Sequence, residues 1–180
     1  KNLYPSINVV KNPNYDITNN MFSLHLALKN CSTDTSSSIL ISNGDCIYDP
    51  SIIPDLVDYD ESLLVACDKS CYNKESMKIM ANDFRISSIS KLIPPEKSYA
   101  VSIDLYKLNA NSIKVLAGII EFYVNVKKEL NLWTEVALND LFQKINFKPM
   151  DICGRRWVEI DNMGDIAIAD RLFSNIKLEN

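Results

Sequence analysis

The run Leu63 to Cys67, LLVAC, holds five apolar residues in a row. A strand of that kind offers no face to water, so the sheet containing it must be covered on both sides. Ser38 to Ser42, SILIS, reads as a second fully buried strand and stops at Asn43-Gly44-Asp45, a turn signal. Between such runs the apolar spacing becomes helical. In Asn19 to Lys29, Phe22, Leu26 and Lys29 share one side, with Leu24 and Leu28 beside them. In Ser112 to Leu130, Ile113, Leu116 and Ile120 form one stripe, and Val115, Ile119, Phe122 and Val126 form another. A helix apolar on two sides is mostly buried.

The other segments continue the alternation. Ile7 to Lys11 (INVVK) reads as a buried strand stopped by Asn12-Pro13. A polar loop over 30–37 follows the first helix. Pro50 opens a short helix toward Val57. Lys78 to Met80 and Phe84 to Ile89 read as a hairpin around Asn82-Asp83. Ala100 to Leu108 alternates apolar and polar residues, which predicts a strand with one working face. Thr134 is placed to cap a helix carrying Ala137, Leu138, Leu141, Phe142 and Ile145. Phe147 to Cys153 and Trp157 to Ile160 read as strands, and Asp161 starts a last helix with Ile166, Ala169 and Phe173 facing inward. Strands alternating with helices, without repeats, predict an α/β sandwich around a mixed, mainly parallel sheet. A length of 180 residues makes this one domain or most of one.

Charge excludes some functions. The formal net charge is −4 with no block of like charges, so a phosphate-backbone binder is not expected. No apolar stretch is long enough to span a bilayer. The five cysteines are odd in number and irregular in spacing, which points to reduced thiols in a cytoplasmic protein. Cys67 and Cys71 are four apart, but no second pair or histidine cluster completes a zinc site. His25 is the only histidine; it lies in an apolar helix, and no nucleophile motif surrounds it.

Two places carry carboxylates where a ligand would lie, outside the carboxyl ends of strands. One is Asn43-Gly44-Asp45, with Asp49 four residues on. Asp45 is a hard oxygen ligand suited to Mg²⁺, or else it closes a strand-end turn. The other is Glu159-Ile160-Asp161, where residues 159 and 161 share a strand face. Asp161 caps the last helix or binds a metal, and Asp165 adds favourable charge to that helix start. Trp157 shares the face of Glu159 and either paves a pocket or belongs to the core.

Three segments in order resemble one family. VVKNPNYDITNNMFSLHLA, ILISNGDCIYD and RRWVEIDNMGDIAIADRLF resemble the N-P-x-Y…T-N-N-x-x-S-L stretch, the metal-Asp strand and the closing W-x-E-I-D signature of the CTP:phosphocholine cytidylyltransferase-like nucleotidyltransferases. The resemblance covers nearly the whole chain. It implies a Rossmann-like α/β/α sandwich that joins CTP to a small phosphorylated acceptor and releases pyrophosphate. It implies that Asp45 and Asp161 ligate Mg²⁺ and are the catalytic pair, and that Asn19, Asn20 and Ser23 lie near nucleotide and acceptor. Lys91, in ISSISKLI, is aligned with a Lys that approaches the acceptor phosphate. Glu159 belongs to the same W-x-E-I-D signature.

A cationic acceptor head would want aromatic faces and carboxylates, and Asp104, Tyr106, Trp133 and Glu135 are available for it. Asp104 and Tyr106 share a strand face. An amino-alcohol phosphate, a phosphonate and a sugar phosphate are all compatible. The acceptor phosphate would be the nucleophile, so no catalytic His or Cys is needed. A homo-oligomer is also compatible. The sequence departs from the family in one respect. Family members open with a strand and a loop of the L-A-A-G-x-G-[ST]-R kind, and none of the four glycines here lies in such a loop. The expectation is therefore one domain, residues 1–180, without its opening strand and Gly-rich loop. A non-catalytic binding module and a sugar-1-phosphate nucleotidyltransferase are the alternatives.

Overall fold

The structure, a computed structural model, describes residues 7–31, 38–72 and 74–174. Its elements in chain order are α1 (Asn20–Asn30), β1 (Ile39–Ser42), β2 (Cys46–Tyr48), α2 (Ile52–Asp58), β3 (Leu64–Asp68), β4 (Lys78–Asn82), β5 (Arg85–Ser90), β6 (Ala100–Leu108), α3 (Ala110–Glu121), α4 (Thr134–Phe142), β7 (Lys148–Asp151), β8 (Trp157–Glu159) and α5 (Met163–Phe173). A six-stranded sheet runs β5-β4-β6-β3-β7, with β1 also on β6. Helices α1, α3 and α4 cover one face through Val65, Tyr106, Leu116, Leu138 and Phe142. On the other face, Ile52 and Leu56 of α2 pack with Leu64, Ala66, Ile103 and Leu105. LLVAC lies between these layers, and all of β3 is buried. The α/β sandwich with a mixed sheet is therefore the observed architecture.

The balance within that sheet differs from expectation. Among the described residues only β3 and β7 pair in parallel. The β1–β6, β3–β6, β4–β6 and β4–β5 pairs are antiparallel, so the sheet is mainly antiparallel. The reason is local. No helix long enough for a crossover separates β3 from β4, β5 and β6, and without crossovers neighbouring strands are not forced to be parallel.

β6 is the spine of the sheet. Its Tyr106 pairs both Ile41 and Val65, and its Val101 pairs both Lys78 and Asp68. Strands β1 and β4 thus share one edge of β6, end to end, and part between Leu105 and Val101. At that gap β6 bulges. Val65 pairs Tyr106 but Cys67 pairs Ser102, and Asp104 adopts a left-handed backbone with φ 57°. Aspartate is among the few residues that tolerate this conformation. Every residue of β6 is buried, and Ser102, Asp104 and Tyr106 meet polar groups rather than solvent.

A two-stranded ribbon lies beside the main sheet. β2 pairs β8 antiparallel, with Cys46 opposite Glu159. β2 is not foreseen from sequence, being only three residues long. Ile7 and Val9 are 57% and 77% exposed, and no strand forms there. SILIS is only half-buried, because β6 pairs it on one edge alone. The long helix stops as an α-helix at Glu121, passes into a π-turn over Phe122–Lys127, and ends at left-handed Lys128. Thr134 is not a cap. Its N–H donates to Asn20 Oδ1 of α1 at 2.8 Å, so the cap comes from another helix. Asn162, not Asp161, caps α5, with Asp165 completing a capping box. Ala169 of α5 is buried while Ile166 is exposed. Most of the polar loop expected over 30–37 lies outside the described residues. No helix of the described residues is long and apolar enough to cross a membrane.

Candidate active site

The gap where β1 and β4 part opens into a cleft of about 310 Å³. Asn43, Gly44 and Asp45 line it from the end of β1, and Met77 lines it from the start of β4. Asp104 is in the wall, Lys91 enters from the segment after β5, and Asn19, Asn20, Trp133 and Glu135 come from the helical layer. Glu159 and Asp161 close it from the end of β8.

The ribbon brings the carboxylates together. Ile160 N–H donates to Asp45 O at 2.9 Å, which extends the β2–β8 ladder beyond Cys46 and Glu159. Asp45, Glu159 and Asp161 each present a carboxylate oxygen within 4.8 Å of the others. Desolvation first, then the charges of Asp161 and Asp45, push the Glu159 carboxyl above the ordinary range. Three hard oxygen donors converging on one point fit a divalent cation such as Mg²⁺, which completes its shell with phosphate and water oxygens. The capping box fixes one side of this group. Asp165 Oδ2 accepts from Asp161 N at 2.9 Å and Asn162 N at 3.0 Å, so the backbone carrying Asp161 is pinned to the start of α5.

The opposite end of the cleft is a second polar group. Tyr106, 1% exposed, places its hydroxyl 3.2 Å from Asp104 Oδ1 and 3.0 Å from Glu135 Oε1. Asn43 Nδ2 donates to Asp104 Oδ2 at 3.2 Å, and Ser102 Oγ donates to Asp104 Oδ1 at 3.3 Å. Burial, aided by the charges of Glu135 and Glu159, pushes the Asp104 carboxyl up to about 7. Burial also raises Glu135. Lys91 Nζ lies 5.2 Å from the Trp133 ring centre.

The cleft thus gathers Asn19, Asn20, Asp45, Lys91, Asp104, Trp133, Glu135, Glu159 and Asp161. Tyr106 is beneath it. Ser23 is not in it; its exposed hydroxyl accepts from Asn12 Nδ2. The side chains of Asn19 and Asn20 have structural partners. Asn19 Oδ1 accepts from Asn20 N, its amide donates to Asn131 Oδ1, and Asn20 Oδ1 accepts from Thr134 N. Asp49 pairs with Arg156 at 3.0 Å, and Trp157 Nε1 donates to Asp68 Oδ2 at 3.1 Å outside the cleft. Sequence reasoning placed Asn43 in the Asn43-Gly44-Asp45 candidate but gave its side chain no role, and it missed Met77, which carries no signal.

No family model and no curated protein matches the chain. Solved structures do match. An inositol-1-phosphate CTP transferase from T. maritima superposes with a TM-score of 0.65 at 17% identity, covering 89% of this chain and 65% of that one. The CTP:phosphocholine cytidylyltransferase of Streptococcus pneumoniae gives a TM-score of 0.70 at 15% identity, covering 93% and 69%. An apo-UDP-glucose pyrophosphorylase gives 0.63 at 11%, covering 88% and 60%. This chain therefore spans about two thirds or less of the length of these neighbours. At such identities the likeness establishes the fold alone, a Rossmann-like α/β sandwich shared with these neighbours.

Proposed function

We propose that this chain is the larger part of a Mg²⁺-dependent nucleotidyltransferase. The reaction is transfer of a cytidylyl group from CTP to a small phosphorylated acceptor, with release of pyrophosphate. The observation that carries the reading is one cleft holding two unlike ends. At one end, Asp45, Glu159 and Asp161 converge within 4.8 Å. At the other, Asp104 and Glu135 lie beside Trp133 and Lys91.

Asp45 and Asp161, with Glu159 behind them, would hold the ion. A bound Mg²⁺ neutralises charge on the reacting phosphoryl oxygens. The chain's own residues do the rest by positioning. Lys91 is the one cation lining the cleft among the described residues, and its ammonium suits an acceptor phosphate. Trp133 offers an aromatic face and Asp104 and Glu135 offer carboxylates, a combination suited to an ammonium head. That acidic end suits the ammonium head of a phosphocholine-like acceptor, whose charge it would balance. Displacement at the α-phosphorus then requires in-line placement more than a nucleophilic side chain. A cytoplasmic location accords with this chemistry and with the reduced cysteines.

The test is pyrophosphate release by the full-length polypeptide from CTP and Mg²⁺, with phosphocholine or glucose 1-phosphate as acceptor. Release with phosphocholine, abolished in Asp45→Ala and Asp161→Ala, is the expected result. Full rate with both carboxylates removed would show the metal assignment to be wrong.

A further inference from the structure

Tyr106 has one hydroxyl proton and two carboxyl neighbours. Its oxygen is 3.2 Å from Asp104 Oδ1 and 3.0 Å from Glu135 Oε1. One O–H can serve one of these oxygens. The second contact is attractive only if that carboxyl carries a proton and donates it to the tyrosine oxygen. All three side chains are buried, at 6%, 1% and 4% exposure for Asp104, Tyr106 and Glu135. Asn43 Nδ2 and Ser102 Oγ donate to Asp104 as well, but neither relieves the contact at the tyrosine oxygen, and two ionised carboxylates on either side of it would repel without solvent to screen them.

We propose that Asp104, Tyr106 and Glu135 form a unit that holds one extra proton and surrenders it when a cationic acceptor head binds beside Trp133. Tyr106 is then a positioning residue for acceptor recognition. The unit distinguishes a permanent cation from a neutral group of the same shape, because only the cation replaces the proton's charge. The proton leaves to solvent, and the cleft's net charge is unchanged by the exchange.

The surroundings agree with this. Asp104 projects from the left-handed bulge in β6, and Glu135 from the first turn of α4, so two elements must dock to assemble the unit. The charged groups that face it are Glu159 from β8, Lys91 from the segment after β5, and Asp45 beyond Asn43. Among the described residues none of the three hydrogen-bonds to Asp45, Glu159 or Asp161. The Asp104 carboxyl, pushed up to about 7, is the natural holder of the proton.

This inference rests on the cationic-acceptor reading above, and its test separates the two. The full-length protein is titrated with choline and with its neutral carbon isostere, 3,3-dimethylbutan-1-ol, by calorimetry in buffers of different ionisation enthalpy. Neither probe titrates near neutrality. Choline should release about half a proton at pH 7, and its affinity should weaken about tenfold from pH 8 to pH 6. The isostere should release none. Carbon-13 NMR of labelled Asp carboxyls in the ligand-free protein should show one titrating near neutrality. That signal should vanish in Asp104→Asn and move upward in Tyr106→Phe, because the charged carboxylate loses a donor. Absence of any carboxyl titrating near neutrality overturns the proton-holding unit, whether or not choline binds. A titrating carboxyl with no choline binding, or choline binding without proton release, overturns the exchange. Loss of Mg²⁺–CTP turnover with the proton release intact would sink the transferase reading and leave this one standing.

Discussion

Replacing Glu159 by Gln should make the metal-free protein more stable. The carboxylate lies with those of Asp45 and Asp161 inside 4.8 Å. At that spacing two unit charges repel by about 0.9 kcal/mol in water and by about 3.5 kcal/mol at an effective dielectric of about 20. Asp45 and Asp161 are exposed, and Glu159 is half-buried, so the smaller figure governs. Two such pairs vanish in the variant, a gain of about 2 kcal/mol. For a domain of this size that raises the midpoint of thermal unfolding by about 4–8 °C. The sign with pH follows from the raised carboxyl of Glu159. A raised acid costs stability above its folded pKa, so the advantage of Gln should be full at neutral pH and fade on acidification through the carboxylate range. The assay is thermal unfolding of both proteins in EDTA and in excess Mg²⁺. Wild type should gain from Mg²⁺, and the variant should gain less, so the two curves converge. A variant less stable than wild type in EDTA would mean that Glu159 serves the fold. An equal Mg²⁺ gain in both would mean that it serves no ion.

Asp165→Ala removes the acceptor for the Asp161 and Asn162 amides; about 1 kcal/mol of stability should go with the cap, and calorimetry should show weaker Mg²⁺ binding because the Asp161 backbone is freed. Lys107→Met should cost about 1–3 kcal/mol in urea unfolding, because the buried Nζ donates to Val57 O and Tyr59 O, both at 2.8 Å, where α2 ends. Asp104 is pushed up to about 7, so the native state binds more protons than the unfolded one between the ordinary carboxylate range and neutrality. Stability should therefore fall as pH rises through that window, and Asp104→Asn should flatten the fall in a series of urea melts.

Much of the fold is legible along the chain. LLVAC must be covered on both faces, and β3 is. The 19–29 periodicity became α1, and the first part of the 112–130 periodicity became α3, because an apolar stripe is a property of neighbouring residues. Asp45 and Asp161 are legible as candidates, since each follows an apolar run at a strand end. The β6 alternation gives the strand and its polar positions but not what they meet: the groups that satisfy Ser102, Asp104 and Tyr106 come from the same strand, from Asn43 and from Glu135. INVVK misleads, because a β-branched run becomes a strand only where a ladder receives it.

What the sequence determined by itself was therefore the layer order and the kinds of side chain at the strand ends, both set by interactions a few residues long. Tertiary structure alone decided that Asp45 meets Glu159 and Asp161. That meeting depends on the pairing of β2 with β8, two three-residue strands more than a hundred positions apart. It also decided that Asp104 and Glu135 share Tyr106, through a bulge in β6 and the docking of α4. Contacts of that range come from packing, in which each partner satisfies a group that the other cannot leave buried alone.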